Sequence, residues 1–156
     1  MTAKRSIGVK AEWLGEKQFR AVGPSGYSVM MDSSAKIGEG STGNSPMELL
    51  VVALCGCMGM GVTNILKKMR QELESLQIEA DALRSDDTPG AITEVHLTFH
   101  ATGAVVPSRI WQAIRLESEQ YCPVAASLKA VIVPHVVLNG ENVPMPEQPA
   151  SAIDPE

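Results

Sequence analysis

Three cysteines carry most of the reactive chemistry open to this chain: Cys55 and Cys57, separated by one glycine in the run MELLVVALCGCMGMG (residues 47–61), and Cys122 in EQYCPV. An odd count of thiols makes no disulfide framework, and in a reducing compartment such residues stay free unless a disulfide has a function. On a helix, Cys55 and Cys57 stand about 200° apart around the axis, so neither a C-x-C bridge nor a C-x-C chelate is favoured. Each is readable as a small buried hydrophobe. A reactive thiol must instead ionise, which takes a neighbouring cation, a base or a helix amino terminus. Cys57 lies about three turns into its helix, beyond the first turn where the dipole acts. Its cation must come from elsewhere: Arg20 in QFRAV is the one to test, whereas Arg109 and Arg115 read as solvated surface charges. Cys55 reads as core.

The histidines offer less. His96 and His100 share one strand face, His135 follows Pro134 in another segment, and exposed strand residues are the simplest reading of all three. Zinc-type ligand spacing, a phosphate-binding glycine loop, a G-x-S-x-G elbow and H-E-x-x-H are all missing from the sequence, so no metal and no cofactor are expected.

The elements that must position these thiols follow from periodicity. Residues 6–10, 18–22 and 27–31 read as short strands punctuated by Gly15, Gly23-Pro24 and Gly26. A Gly/Ser-rich loop, residues 32–46, leads into a helix marked by Ser45, Pro46 and Glu48 as a capping box, running about six turns to the basic group Lys67, Lys68 and Arg70. Residues 76–83 and 95–100 alternate as half-buried strands around the turn RSDDTPGA. Pro107 opens a second helix with the stripe Trp111, Ile114, Ser118, Tyr121, Cys122 and Ala125, Pro123 kinks or restarts it, and residues 130–138 return as a strand. This order points to an α+β domain with helices on a mostly antiparallel sheet. The expected boundaries are one domain over residues 1–141 and a poorly ordered Pro-rich tail over 142–156.

A formal net charge of −5 repels polyanions, which argues against nucleic acid. No signal-peptide pattern is present, so the cytoplasm is the default compartment. The apolar run, about fifteen residues interrupted by Glu48, is short of the roughly 20 needed to cross a bilayer. A helix apolar on all sides needs cover on all sides, and Gly56, Gly59 and Gly61 each sacrifice about 1 kcal/mol of helix propensity that a close crossing would offset. Dimerisation is the expected cover.

SPMELLVVALCGC, followed after a strand pair by a second helix ending EQYCPV, resembles the OsmC/Ohr family of osmotically induced and organic-hydroperoxide-resistance proteins over residues 6–138. The resemblance implies an intertwined α+β homodimer with long central helices against curved antiparallel sheets. It aligns Cys57 with the peroxidatic cysteine and Cys122 with the resolving one. The implied activity is thiol-dependent reduction of organic hydroperoxides, with Cys57 oxidised to a sulfenic acid, Cys122 capturing it as a disulfide, and an external thiol or dithiol resetting the pair. The alternative is a non-catalytic OsmC-like protein that binds a small apolar ligand or senses redox state. The active branch of the family carries a glutamate where this chain has Met47; here the carboxylate falls at Glu48, turned about 100° and suited to capping Ser45. Arg20 is an approximate match to the family's arginine.

Overall fold

The computed structural model describes residues 6–33 and 39–146, and the chain divides into two compact units, Met1–Val52 and Ala53–Glu156. Residues 34–38 of the expected loop and 147–156 of the expected tail lie outside the described residues.

The first unit holds a three-stranded antiparallel meander: β1 (Lys10–Gly15), β2 (Gln18–Val22) and β3 (Ser28–Asp32), in that order. The first strand begins where the sequence reading ended it, because Glu12 and Trp13 pair with Arg20 and Phe19 across a turn that Gly15 and Glu16 close with positive φ angles of 117° and 47°. Asp32, buried at the end of β3, accepts hydrogen bonds from the Thr42 amide and hydroxyl at 3.0 and 2.8 Å.

Helix α1 (Pro46–Lys68) starts at the expected capping box: the Glu48 amide donates to Ser45 Oγ at 3.2 Å, and the Ser45 amide donates to Glu48 Oε2 at 2.6 Å. The helix runs 23 residues and holds an 18-residue window of mean hydropathy 2.1, long and apolar enough by length and composition to cross a bilayer. The sequence argument counted only the apolar run to Gly61, and a core helix passes the same test of length and composition. Leu54, Met58, Val62, Ile65 and Leu66 of α1 are buried in the core, whereas Val52 and Met60 stay 57% and 72% exposed.

In the second unit, β4 (Glu72–Arg84) and β5 (Ile92–Ala104) form a long antiparallel hairpin. Helix α2 (Pro107–Leu116) then crosses to β6 (Val131–Leu138), which pairs parallel to β5, and β7 (Glu141–Val143) adds an antiparallel edge, giving the order β4-β5-β6-β7. Asn142 and Val143, placed in the tail by the sequence reading, belong to this edge strand. The parallel β5–β6 pair exists because a helical crossover joins them, and it leaves the sheet mostly antiparallel. Val95, Leu97, Phe99 and Ala101 alternate inward from β5 against α1 and α2, each large side chain contributing about 1.5–3 kcal/mol by burial. Helix α2 ends in a five-residue π turn, Glu117–Tyr121, and a short helix α3 (Pro123–Ser127) follows.

Candidate functional site

Pro123 has no amide hydrogen, so an α-helix from Pro107 would lose a bond there. The chain widens first: the Cys122 amide donates to the Glu117 carbonyl, five residues back, at 2.8 Å. One residue of slack changes the register. Tyr121, which an unbroken 3.6-residue period assigns to the apolar stripe, is 61% exposed, whereas Cys122 is 3% exposed. The Tyr121 expectation is thereby corrected. Glu117 is the residue the sequence reading missed. It stands seven positions after Ile110, in line with Ala113 and Ile114, all buried, and it is itself only 4% exposed. The signal was a carboxylate at the i+7 position of an apolar stripe.

Helix α1 meets this turn with one flank of its buried face. Cys57 and Gly61 lie on that flank, Cys55 and Gly59 on the other, and Met58 at the centre between them. The Cys122 thiol donates to Cys57 Sγ at 2.8 Å, so the two sequence-predicted thiols are brought into direct contact as free cysteines. A Cβ built at Gly61 would overlap the carboxylate carbon and both oxygens of Glu117, so glycine there is what lets the carboxylate lie against the helix. At Gly59 a Cβ would come 3.1 Å from Ile78 Cδ1, and at Gly56 it would meet nothing within 4 Å. Two of the three helix glycines are thus explained by close packing inside this unit.

One atom each from Cys57, Glu117 and Cys122 lie within 4.8 Å of one another. Three side chains of metal-ligating type were not foreseen by the sequence reading. Two thiolates on one tetrahedral zinc, at about 2.3 Å each, sit roughly 3.8 Å apart, so these sulfurs would have to separate by about 1 Å to share a metal. Their contact suits sulfur–sulfur bond formation instead, where the covalent distance is about 2.05 Å.

The electrostatics are those of a buried, uncompensated site. Burial and then the bond to Cys57 push the Cys122 thiol up to about 11, against which the Ala125 amide donates to its sulfur at 3.3 Å. Burial also raises the Glu117 carboxyl and the Cys55 thiol above their ordinary values. Among the described residues of the second unit, no Lys or Arg is ion-paired or hydrogen-bonded to Cys57, Glu117 or Cys122. Arg109 donates to Gln112 Oε1 at 2.8 Å on the surface, and Arg115 is exposed, both as expected of solvated charges. In the first unit, Arg20 pairs across the sheet with Glu12 at 2.6 Å. The Ser45 amide and hydroxyl hold Glu48 below the usual carboxylate range.

Cys55 lines a separate surface groove with Gly56, Gly59, Met60, Thr63, Leu76 and Ile78. The histidines depart from their expected separation: the parallel β5–β6 register brings His96 Nδ1 to 3.0 Å from His135 Nε2, with Glu94 on the far side of the His96 ring at 2.5 Å.

A thiol on a long apolar helix, in contact with a second thiol delivered by a helix end, in a two-sheet α+β chain, defines the OsmC/Ohr type of protein. The chain belongs to the OsmC-like protein family, whose sequence profile matches residues 38–136. It is 30% identical over 128 residues to Protein YhfA of Escherichia coli strain K12, covering 81% of this chain and 92% of that protein. Among solved structures it resembles a hypothetical protein from Aquifex aeolicus VF5 (TM-score 0.73, 29% identity, 86% of this chain and 98% of that one). The organic hydroperoxide resistance protein OhrB of Bacillus subtilis shares the fold at a TM-score of 0.58 and 16% identity, over 86% of this chain and 98% of that one.

Proposed function

We propose that this protein is a cytoplasmic, homodimeric thiol peroxidase that reduces organic hydroperoxides, with Cys57 as the attacking thiol and Cys122 as the resolving one. The observation that supports this reading above others is the 2.8 Å contact between the two sulfurs. In the reaction, the Cys57 thiolate attacks the terminal oxygen of ROOH, the O–O bond breaks, ROH leaves and Cys57 becomes a sulfenic acid. Cys122 then forms the disulfide with loss of water, and an external dithiol returns both thiols. No cofactor or metal enters the cycle. The apolar run around Cys57 suits organic over inorganic peroxides, each buried methylene adding about 0.8 kcal/mol. A partner copy is supported by the exposed apolar positions Val52 and Met60 on α1. The OsmC-like domain is proposed to span residues 1–143, edge strand β7 included, with the Pro-rich residues that follow as its tail.

A second reading, a redox sensor or small-ligand-binding protein, is favoured by one observation: Glu48 is engaged by Ser45 and Arg20 by Glu12, so neither is held by the other as an arginine clamp. Turnover separates the two. With excess dithiothreitol and cumene hydroperoxide, the wild type consumes many equivalents of peroxide, while Cys57→Ser abolishes consumption. Consumption that stops at one equivalent per site supports the sensor, and consumption unaffected by Cys57→Ser sinks both thiol readings.

A further inference from the structure

Glu117 is a buried carboxyl for which the peroxidase reading has no use. Its surroundings give it no structural role either: among the described residues its carboxylate makes no hydrogen bond and no ion pair. Yet the fold makes specific room for it. Gly61 is bare where the carboxylate lies, and the π turn that buries Glu117 is the one that delivers Cys122. Its oxygen lies within 4.8 Å of both sulfurs.

We infer that Glu117 is the proton acceptor for the Cys122 thiol when that thiol closes the disulfide with Cys57. The inference rests on the thiol-pair reading above and adds a third member to it. In the closing step the Cys122 sulfur attacks the Cys57 sulfenic sulfur, the S–S bond forms and the S–O bond breaks. The Cys122 proton passes to the Glu117 carboxylate and on to the departing hydroxide, so that water leaves and the carboxylate is restored. The Cys122 sulfur is oxidised and the Cys57 sulfur reduced, so no outside oxidant is needed. The step needs a base because the Cys122 thiol, pushed up to about 11, is ionised to only about one part in ten thousand at pH 7. The thiol lies in contact with the sulfur it must attack. A positioned carboxylate removes that obstacle, and general bases of this kind are worth about 10²–10⁴ in rate. In the closing step Cys57 is a neutral sulfenic acid and Cys122 a neutral thiol, so the Glu117 carboxylate is the one negative charge among the three until it takes the proton.

The test is a single-turnover measurement on full-length reduced protein, with one equivalent of cumene hydroperoxide, dimedone quenches and intact-mass readout. Glu117→Gln is expected to form the Cys57 sulfenic acid as the wild type does and to close the disulfide about 100-fold more slowly. Gly61→Ala, which displaces the carboxylate without removing it, is expected to slow closure in the same direction. The titratable groups facing Glu117 are Cys57 from α1 and Cys122 from the end of the π turn. Closure in Glu117→Gln should therefore rise tenfold per pH unit above neutrality, while the wild type is flatter, a difference that a structural defect does not produce. A parallel arm replaces the peroxide with oxidised dithiothreitol, which drives the same Cys122 attack on a Cys57 mixed disulfide. If Cys122→Ser traps no sulfenic acid, the peroxidase reading fails and this second arm alone decides the role of Glu117. Closure by Glu117→Gln within twofold of the wild type, in whichever arm forms the disulfide, overturns the inference.

Discussion

The seating of Glu117 against α1 predicts an order of stability among three alanine substitutions in one helix. Replacing a helix-interior glycine by alanine gains about 1 kcal/mol of propensity, a contribution common to Gly56→Ala, Gly59→Ala and Gly61→Ala that cancels when they are compared. What remains is the clash each new methyl meets. Gly56 meets nothing within 4 Å, Gly59 meets the flexible end of Ile78 at 3.1 Å, and Gly61 meets a buried carboxylate head-on. Overpacking of this kind costs about 1–3 kcal/mol, so Gly61→Ala should be less stable than Gly56→Ala by about that amount, with Gly59→Ala between them. With a urea slope of about 1–3 kcal/mol/M, the midpoints should separate by roughly 1 M, measured by circular dichroism at one protein concentration with unchanged slopes. In a Glu117→Ala background the obstacle is gone, and Gly61→Ala should then gain stability as Gly56→Ala does. Equal midpoints for Gly56→Ala and Gly61→Ala would refute the placement of Glu117, and the proton-transfer role with it.

Burial raises the folded-state ionisation of Glu117, so its penalty is absent below the unfolded carboxyl range near 4.5 and grows as pH rises through the folded value. Glu117→Gln should therefore match the wild type below about pH 4 and melt higher at pH 7, as followed by thermal unfolding across pH. Glu48 runs the opposite way: its lowered value adds stability above the unfolded range that is lost as pH falls, so Glu48→Gln should flatten the acid limb of the melting profile. Ser45→Ala, which breaks the same capping box, should lower stability by about 1 kcal/mol in urea titration. In the Cys55→Ser protein, alkylation of Cys122 by iodoacetamide should rise about tenfold per pH unit between pH 7 and 10, read by peptide mass spectrometry. A pH-independent rate would contradict its raised ionisation.

Local signals in the sequence were good guides where local interactions decide the outcome. Ser45, Pro46 and Glu48 announce the start of α1, and their reciprocal bonds form as such residues dictate. Separating Cys55 from Cys57 needed only the helical angle, and the two do lie on opposite flanks of α1. Errors arose where a long-range partner or a change of period intervenes. The first strand lies in KAEWLG rather than residues 6–10 because its register is set by β2, not by its own composition. Tyr121 was misplaced and Glu117 missed because the sequence was read with one period through a segment that has two. His96 and His135 meet only through the parallel β5–β6 pairing, which no pattern within either strand encodes.

On the proposed thiol-pair reading, the π turn also ties the oxidation state of the pair to a single peptide hydrogen. The Cys122 amide is bonded to the Glu117 carbonyl at 2.8 Å, and the same residue's sulfur must travel about 0.8 Å toward Cys57 for a disulfide to close. That pull acts at one end of a widened ring whose other end is held by a buried side chain. The exchange rate of the Cys122 amide with deuterated water thus becomes a gauge of the thiol pair, legible in the intact protein without substrate or reductant.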